Sequence, residues 1–205
     1  MANADTPFGL RPVRHRNGAP YNGAVTPYYI PSGYGTALYI GDPVVITGTA
    51  NTSAVKVPGV GDFGPGTLQE INKATAAGGN YISGVIVGFA ANVSDLSKQY
   101  NPASTERVAL VADDPDLVFE IQEDGVGATL AATDMGLNAD LVYTHSGSAY
   151  TGQSGAELDI STKNTTATLQ LKILRLVNRS DVELGVNGKL EVAINLHTQR
   201  YTTGI

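Results

Sequence analysis

The 205-residue chain contains no cysteine and no tryptophan, and only 2 Met and 4 Phe. Without thiols there is no disulfide framework, thiolate zinc site, iron–sulfur cluster or cysteine nucleophile. Charge is also scarce, at 16% of residues, where about 25% is usual. The 13 Lys and Arg are outnumbered by 19 Asp and Glu, for a net charge of −6. That balance argues against binding nucleic acid through the general surface, because phosphate contacts need clustered cations. No apolar run approaches the ~18 residues of a membrane span. Residues 1–7 show neither the basic region nor the apolar stretch of a secretory signal, so synthesis and residence in a cytosolic compartment, or release by lysis, are expected.

What the chain has instead is 24 Gly, 10 Pro and 10 Tyr, unevenly spread. Eight prolines fall in residues 1–65: Pro7, Pro12, Pro20, Pro27, Pro31, Pro43, Pro58 and Pro65. From Asn17 to Gln69 the only charged residues are Asp42, Lys56 and Asp62. Proline at this density opposes helices and interrupts central strands. Yet Tyr21, Tyr28, Tyr29, Tyr34 and Tyr39 are too many aromatics for a solvated disordered tail. Both facts fit an extended N-terminal arm over residues 1–36, packed on its own body or on a neighbouring subunit, followed by a β-rich body over 37–205.

Strand patterns dominate that body. Leu38 to Ile40 and Val44 to Ile46 flank a Gly41-Asp42-Pro43 turn, and Ile82 to Ala90 is β-branched, with Gly84 and Gly88 marking bulges or close approaches. Val108, Leu110 and Ala112 alternate, as do Leu117, Phe119 and Ile121, with an Asp/Pro turn between them. Leu169, Leu171 and Ile173 share a face, and a phase slip at Ile173-Leu174 predicts a bulge. Alternation over 182–186 and 190–196, joined by Asn187-Gly188, predicts a tight hairpin. Helix signals are two: Thr67-x-x-Glu70 as a capping box, and Ala128 to Met135 closed by Gly136. The fold class expected is mainly β, a barrel- or sandwich-like domain with an N-terminal arm and one or two short helices.

Motifs for chemistry are weak. Gly59 to Gly64 satisfies G-x-G-x-x-G, but Pro65-Gly66 interrupts where a dinucleotide-binding helix must start. Asp113, Asp114, Asp116, Glu120, Glu123 and Asp124 crowd twelve residues without EF-hand spacing, which reads as a solvated turn and strand face. His15, His145 and His197 accompany no nucleophile elbow. No catalytic residue, metal ligand or cofactor is expected, and the chain reads as a non-enzyme. Arg11, Arg14 and Arg16, with His15, form the single basic cluster, suited to an acidic partner surface.

Residues 4–13, Tyr39 to Val44, Gly84 to Phe89, Val118 to Asp124, Leu171 to Val177 and Val192 to His197 together resemble tailed-bacteriophage head structural proteins. The family implied is the head decoration, or cement, proteins: β-rich subunits, commonly homotrimers, that lock neighbouring major capsid proteins on the capsid exterior. The resemblance implies a virion component made in the bacterial host cytoplasm, with the major capsid protein as partner and neither nucleic acid nor membrane involved. It places partner contacts on the arm, at Arg11, Arg14, Arg16, Tyr21, Tyr28, Tyr29 and Tyr34. Buried aromatic anchors and strand addition are how such an arm gains affinity. The alternatives are another virion β-protein of the tail, neck, baseplate or head fibre, and a secreted polysaccharide-acting enzyme with paired carboxylates.

Overall fold

The β-branched and alternating segments become strands in the computed structural model, which describes residues 3–58, 61–92 and 95–200. In chain order these are β1 (Arg11–His15), β2 (Thr26–Ile30), β3 (Pro43–Ala50), β4 (Val55–Val57), β5 (Gly61–Phe63), β6 (Gln69–Lys73) and β7 (Gly84–Phe89). They are followed by β8 (Arg107–Ala112), β9 (Leu117–Gln122), β10 (Asn138–Val142), β11 (Glu157–Asn164), β12 (Leu171–Leu176) and β13 (Lys189–Ile194). The fold is mainly β. Helix is confined, among the described residues, to two 3₁₀ turns at Ala132–Asp134 and Thr198–Arg200.

Five strands close a barrel in the order β2-β6-β3-β7-β8, and six form a sheet in the order β1-β9-β13-β12-β10-β11. Barrel closure pairs β2 with β6 in parallel at one register position, Tyr29 with Glu70. Tyr28, Ile30, Leu38, Val44, Ile71, Ile86, Ala109 and Val111 fill the interior. A larger core joins barrel and sheet, with Ile82, Val85 and Ala112 from one side against Phe119, Ile121, Leu158, Ile173 and Val192 from the other. The small β4–β5 hairpin covers a third cluster over Leu68, Ala90 and Val108.

Residues 3–36 do not project from this body. β1 is the edge strand of the six-stranded sheet, and β2 is a stave of the barrel. The prolines sit where a missing N–H does no harm. Pro12 lies on an edge strand next to a bulge, Pro27 lies away from the single β2–β6 register pair, and Pro43 opens β3. Leu10 is buried, and Gly9, at φ +73°, crosses so close to Gly41 that a Cβ would meet its carbonyl oxygen at 2.4 Å.

Several local expectations hold. The register of β12 against β13 shifts between Ile173 and Arg175, and that of β7 against β8 shifts between Ile86 and Gly88. A Cβ on Gly84 would lie 2.6 Å from the Ala112 carbonyl oxygen. Others need correction. Residues 182–186 form no strand, because both edges of β13 are already taken, by β12 and β9. Asn187 does adopt positive φ, at +57°, but it closes an irregular turn in which the Gly188 amide donates to the Gly185 carbonyl. Glu70 lies in β6 rather than a helix, since burying Ile71 in the barrel outweighs the cap signal of Thr67, whose hydroxyl donates to the Gly64 carbonyl. The Gly-rich motif supplies β5, with Gly59 and Val60 outside the described residues.

Candidate partner-binding surface

One face of the six-stranded sheet packs on the core, and the other carries charge. Register sets a cross-strand row on that outer face: Arg11 of β1, Glu120 of β9, Glu191 of β13 and Arg175 of β12. Two acids directly opposite each other repel, so each is held by cations. Arg179 approaches Glu120 at 2.9 Å, while Arg14 and Arg175 each reach Glu191 at 2.7 Å. Burial pushes the Glu191 carboxyl up, but hydrogen bonds from Arg175 and Arg14 outweigh it and leave the group below its ordinary range.

The next row places Arg14 beside Val118, Ala193 and Lys172. Short side chains between long ones make a depression. A groove of about 400 Å³ results, lined by Arg14, Arg16, Val118, Lys172, Leu174 and Arg175. Four cations thus line the groove, and Glu191, bonded to Arg14 and Arg175, is the carboxylate that pairs with them among the described residues. Among the described residues no carboxylate forms an ion pair with Arg16 or Lys172. The Arg16 guanidinium is held below its ordinary value by desolvation and by the like charge of Arg200, with Asp116 opposing. An excess of crowded cations favours an anionic surface that relieves their repulsion.

The residues singled out from sequence divide between this groove, a second cavity and contacts with the chain's own body. Arg14 and Arg16 line the groove. Arg11 stacks on the Phe8 ring at 4.7 Å, beside a separate cavity of about 250 Å³ that Tyr21 also lines. Tyr28 is buried in the barrel and donates to Asp113 at 3.0 Å; burial and that carboxylate raise its phenol far above the ordinary value. Tyr29 donates to Glu106, and the Tyr34 hydroxyl accepts the Lys73 amide, both at 2.9 Å. These three phenols anchor residues 26–36 to the chain's own body, because closing the barrel requires β2 as a stave. Lys172 and Arg175 escaped sequence reasoning, and the polar phase of β12 was the signal that marked them.

The acidic cluster is spent within the chain. Asp113 accepts from Thr26 and Tyr28, Asp114 pairs with His15, Asp116 with Arg200 and Glu120 with Arg179. Glu123 and Asp124 accept the amides of Gly125 and Val126. Among the described residues no helix is long and apolar enough to cross a membrane. No protein-family model matches the chain, and neither a curated protein nor a solved structure does.

Proposed function

We propose that this chain is a virion structural protein that binds the outside of a phage capsid and cements neighbouring major capsid proteins, without catalysis. The observation that carries the reading is the cationic groove, a local excess of Arg14, Arg16, Lys172 and Arg175 on a chain of net charge −6. A subunit held away from nucleic acid by its overall charge is drawn by this patch to an acidic protein face. The phage-like segments lend the identity of that face, the major capsid protein. A homotrimer places three such grooves on the shell and multiplies a modest contact into stable occupancy.

The test uses capsid shells purified without this chain. Arg16→Glu combined with Lys172→Glu reverses two cations that form no ion pair among the described residues, and circular dichroism checks that the variant folds. Co-sedimentation is expected to show wild-type chain saturating the shells and the double variant binding at least ~10-fold more weakly, with the wild-type affinity falling as salt rises. Equal binding of both chains at all salt concentrations contradicts the groove as the docking face.

A further inference from the structure

A second cluster lies where residues 3–6 cross the end of β9 and the start of β11, strands set apart in the sheet order but brought together by the bridge of Glu123 to Leu158. Asp5, His145 and Glu157 bring one ligand atom each to within 4.8 Å of one another. Glu157 opens β11 and is fully buried, whereas Asp5 and His145 remain nearly half exposed. The arrangement of the four carboxylate oxygens is selective. Gln122 Nε2 donates to Asp5 Oδ1 at 2.9 Å and to Glu157 Oε1 at 3.2 Å. Gln122 is itself fixed by the Thr6 amide, which donates to its Oε1 at 3.0 Å. The two remaining oxygens both face the imidazole: Glu157 Oε2 is 2.8 Å from Nδ1, and Asp5 Oδ2 is 3.6 Å from Nε2.

One carboxamide therefore occupies one oxygen of each acid, and the two remaining oxygens flank the imidazole at its two ring nitrogens, so an ion bound by all three residues takes one nitrogen and draws the other acid round to it. Outer hydrogen bonds that orient ligating carboxylates are a general feature of metal sites. Charge argues the same way. Among the described residues no Lys or Arg pairs with Asp5 or Glu157, and the Thr144 hydroxyl, which donates to the same Glu157 Oε2 that meets the imidazole, adds no charge. Two carboxylates, one of them buried, with a single imidazole between them carry a negative charge that is costly away from water. A divalent cation neutralises it.

We propose that Asp5, His145 and Glu157 form a binding site for a divalent transition-metal ion, with zinc the best-matched by its mixed nitrogen and oxygen donors. The three ligands leave a coordination position toward solvent for water. The ion clips the segment bearing Asp5 onto β11 and the β10–β11 loop, a structural role independent of the groove and of the partner it binds. A hard, oxygen-preferring cation such as calcium fits poorly, because an imidazole replaces one of the oxygens it seeks.

The test is titration calorimetry and thermal melting of the full, tag-free chain after chelator treatment, with Zn²⁺, Mn²⁺ and Ca²⁺ as probes. Zn²⁺ is expected to bind one per chain and to raise the melting temperature by about 5 °C or more at a hundredfold excess over its Kd. His145→Ala and Asp5→Asn, both at exposed positions, are expected to keep the wild-type circular dichroism and to weaken Zn²⁺ binding at least ~10-fold. Absence of saturable Zn²⁺ binding overturns the proposal and leaves a hydrogen-bonded ion cluster. Binding that survives both substitutions overturns it too, by placing the ion elsewhere, and a preference for Ca²⁺ overturns the assigned metal class.

Discussion

His197 follows the polar phase of the last strand in sequence, yet in the structure it is fully buried and bridges to Ile82. Its Nδ1 accepts the Gln199 amide at 3.2 Å. Burial, helped by Arg200 and opposed by Asp113, Asp114 and Asp116, pulls its pKa down to about 4. Unfolded chain takes up a proton near pH 6.5 while the folded chain does not until about pH 4, so stability falls as pH drops through that window. The loss is on the order of 3 kcal/mol. His145 acts in the opposite sense, because its bond to Glu157 raises its pKa and the stability it adds is lost as pH rises through the raised value. Urea unfolding of His197→Gln against wild type isolates the buried histidine: the variant is expected to lose most of the decline between pH 6.5 and 4. At this scale the sequence was legible where charge clusters locally, as at Arg14 and Arg16. The polar phase of β12 marked Lys172 and Arg175 as surface residues, but only the spatial order β1-β9-β13-β12 brings them beside Arg14 and Arg16.

Strands with strong local patterns were readable as elements: β7, β8, β9, β12 and β13 all fall on segments whose alternation or β-branching marks them. Even the bulge after Ile173 was visible as a phase slip. Pairing partners were not, since the Asn187-Gly188 signal is local while the edges of β13 are filled by strands from far along the chain. β1 and β2 were harder still, because prolines disguise an edge strand and a stave with one thin contact. Integration of β1 has a consequence at this scale. Deleting residues 1–16 removes the buried Leu10 and bares the edge of β9, every residue of which is buried. An uncovered, buried-type edge invites pairing with another chain, and losing about 3 kcal/mol in a domain of this size lowers the melting point by about 10 °C. Calorimetry with light scattering is expected to show both the lower melting point and self-association, whereas an unchanged, monodisperse profile shows that β1 only decorates the sheet.

For the whole molecule, a barrel and a sheet share one core, and the tyrosines of residues 26–36 are used to close it. Under the proposed function, contact with a partner falls to surface left after folding, and the outer face of the six-stranded sheet offers a groove where cations outnumber carboxylates. Low overall charge and absent cysteine take on meaning under the proposed function, in which association would rest on one charged patch and on buried area rather than on covalent links. A cement subunit repeats with the shell it binds, whereas a tail, neck, baseplate or fibre component is present in few copies. The most direct measurement is the copy number of this chain in purified phage particles, by electron microscopy with quantitative mass spectrometry. Density on the outer capsid surface at a ratio approaching one chain per major capsid protein is the predicted result. Absence from the particle, or a few copies confined to one vertex or the tail, would contradict the account.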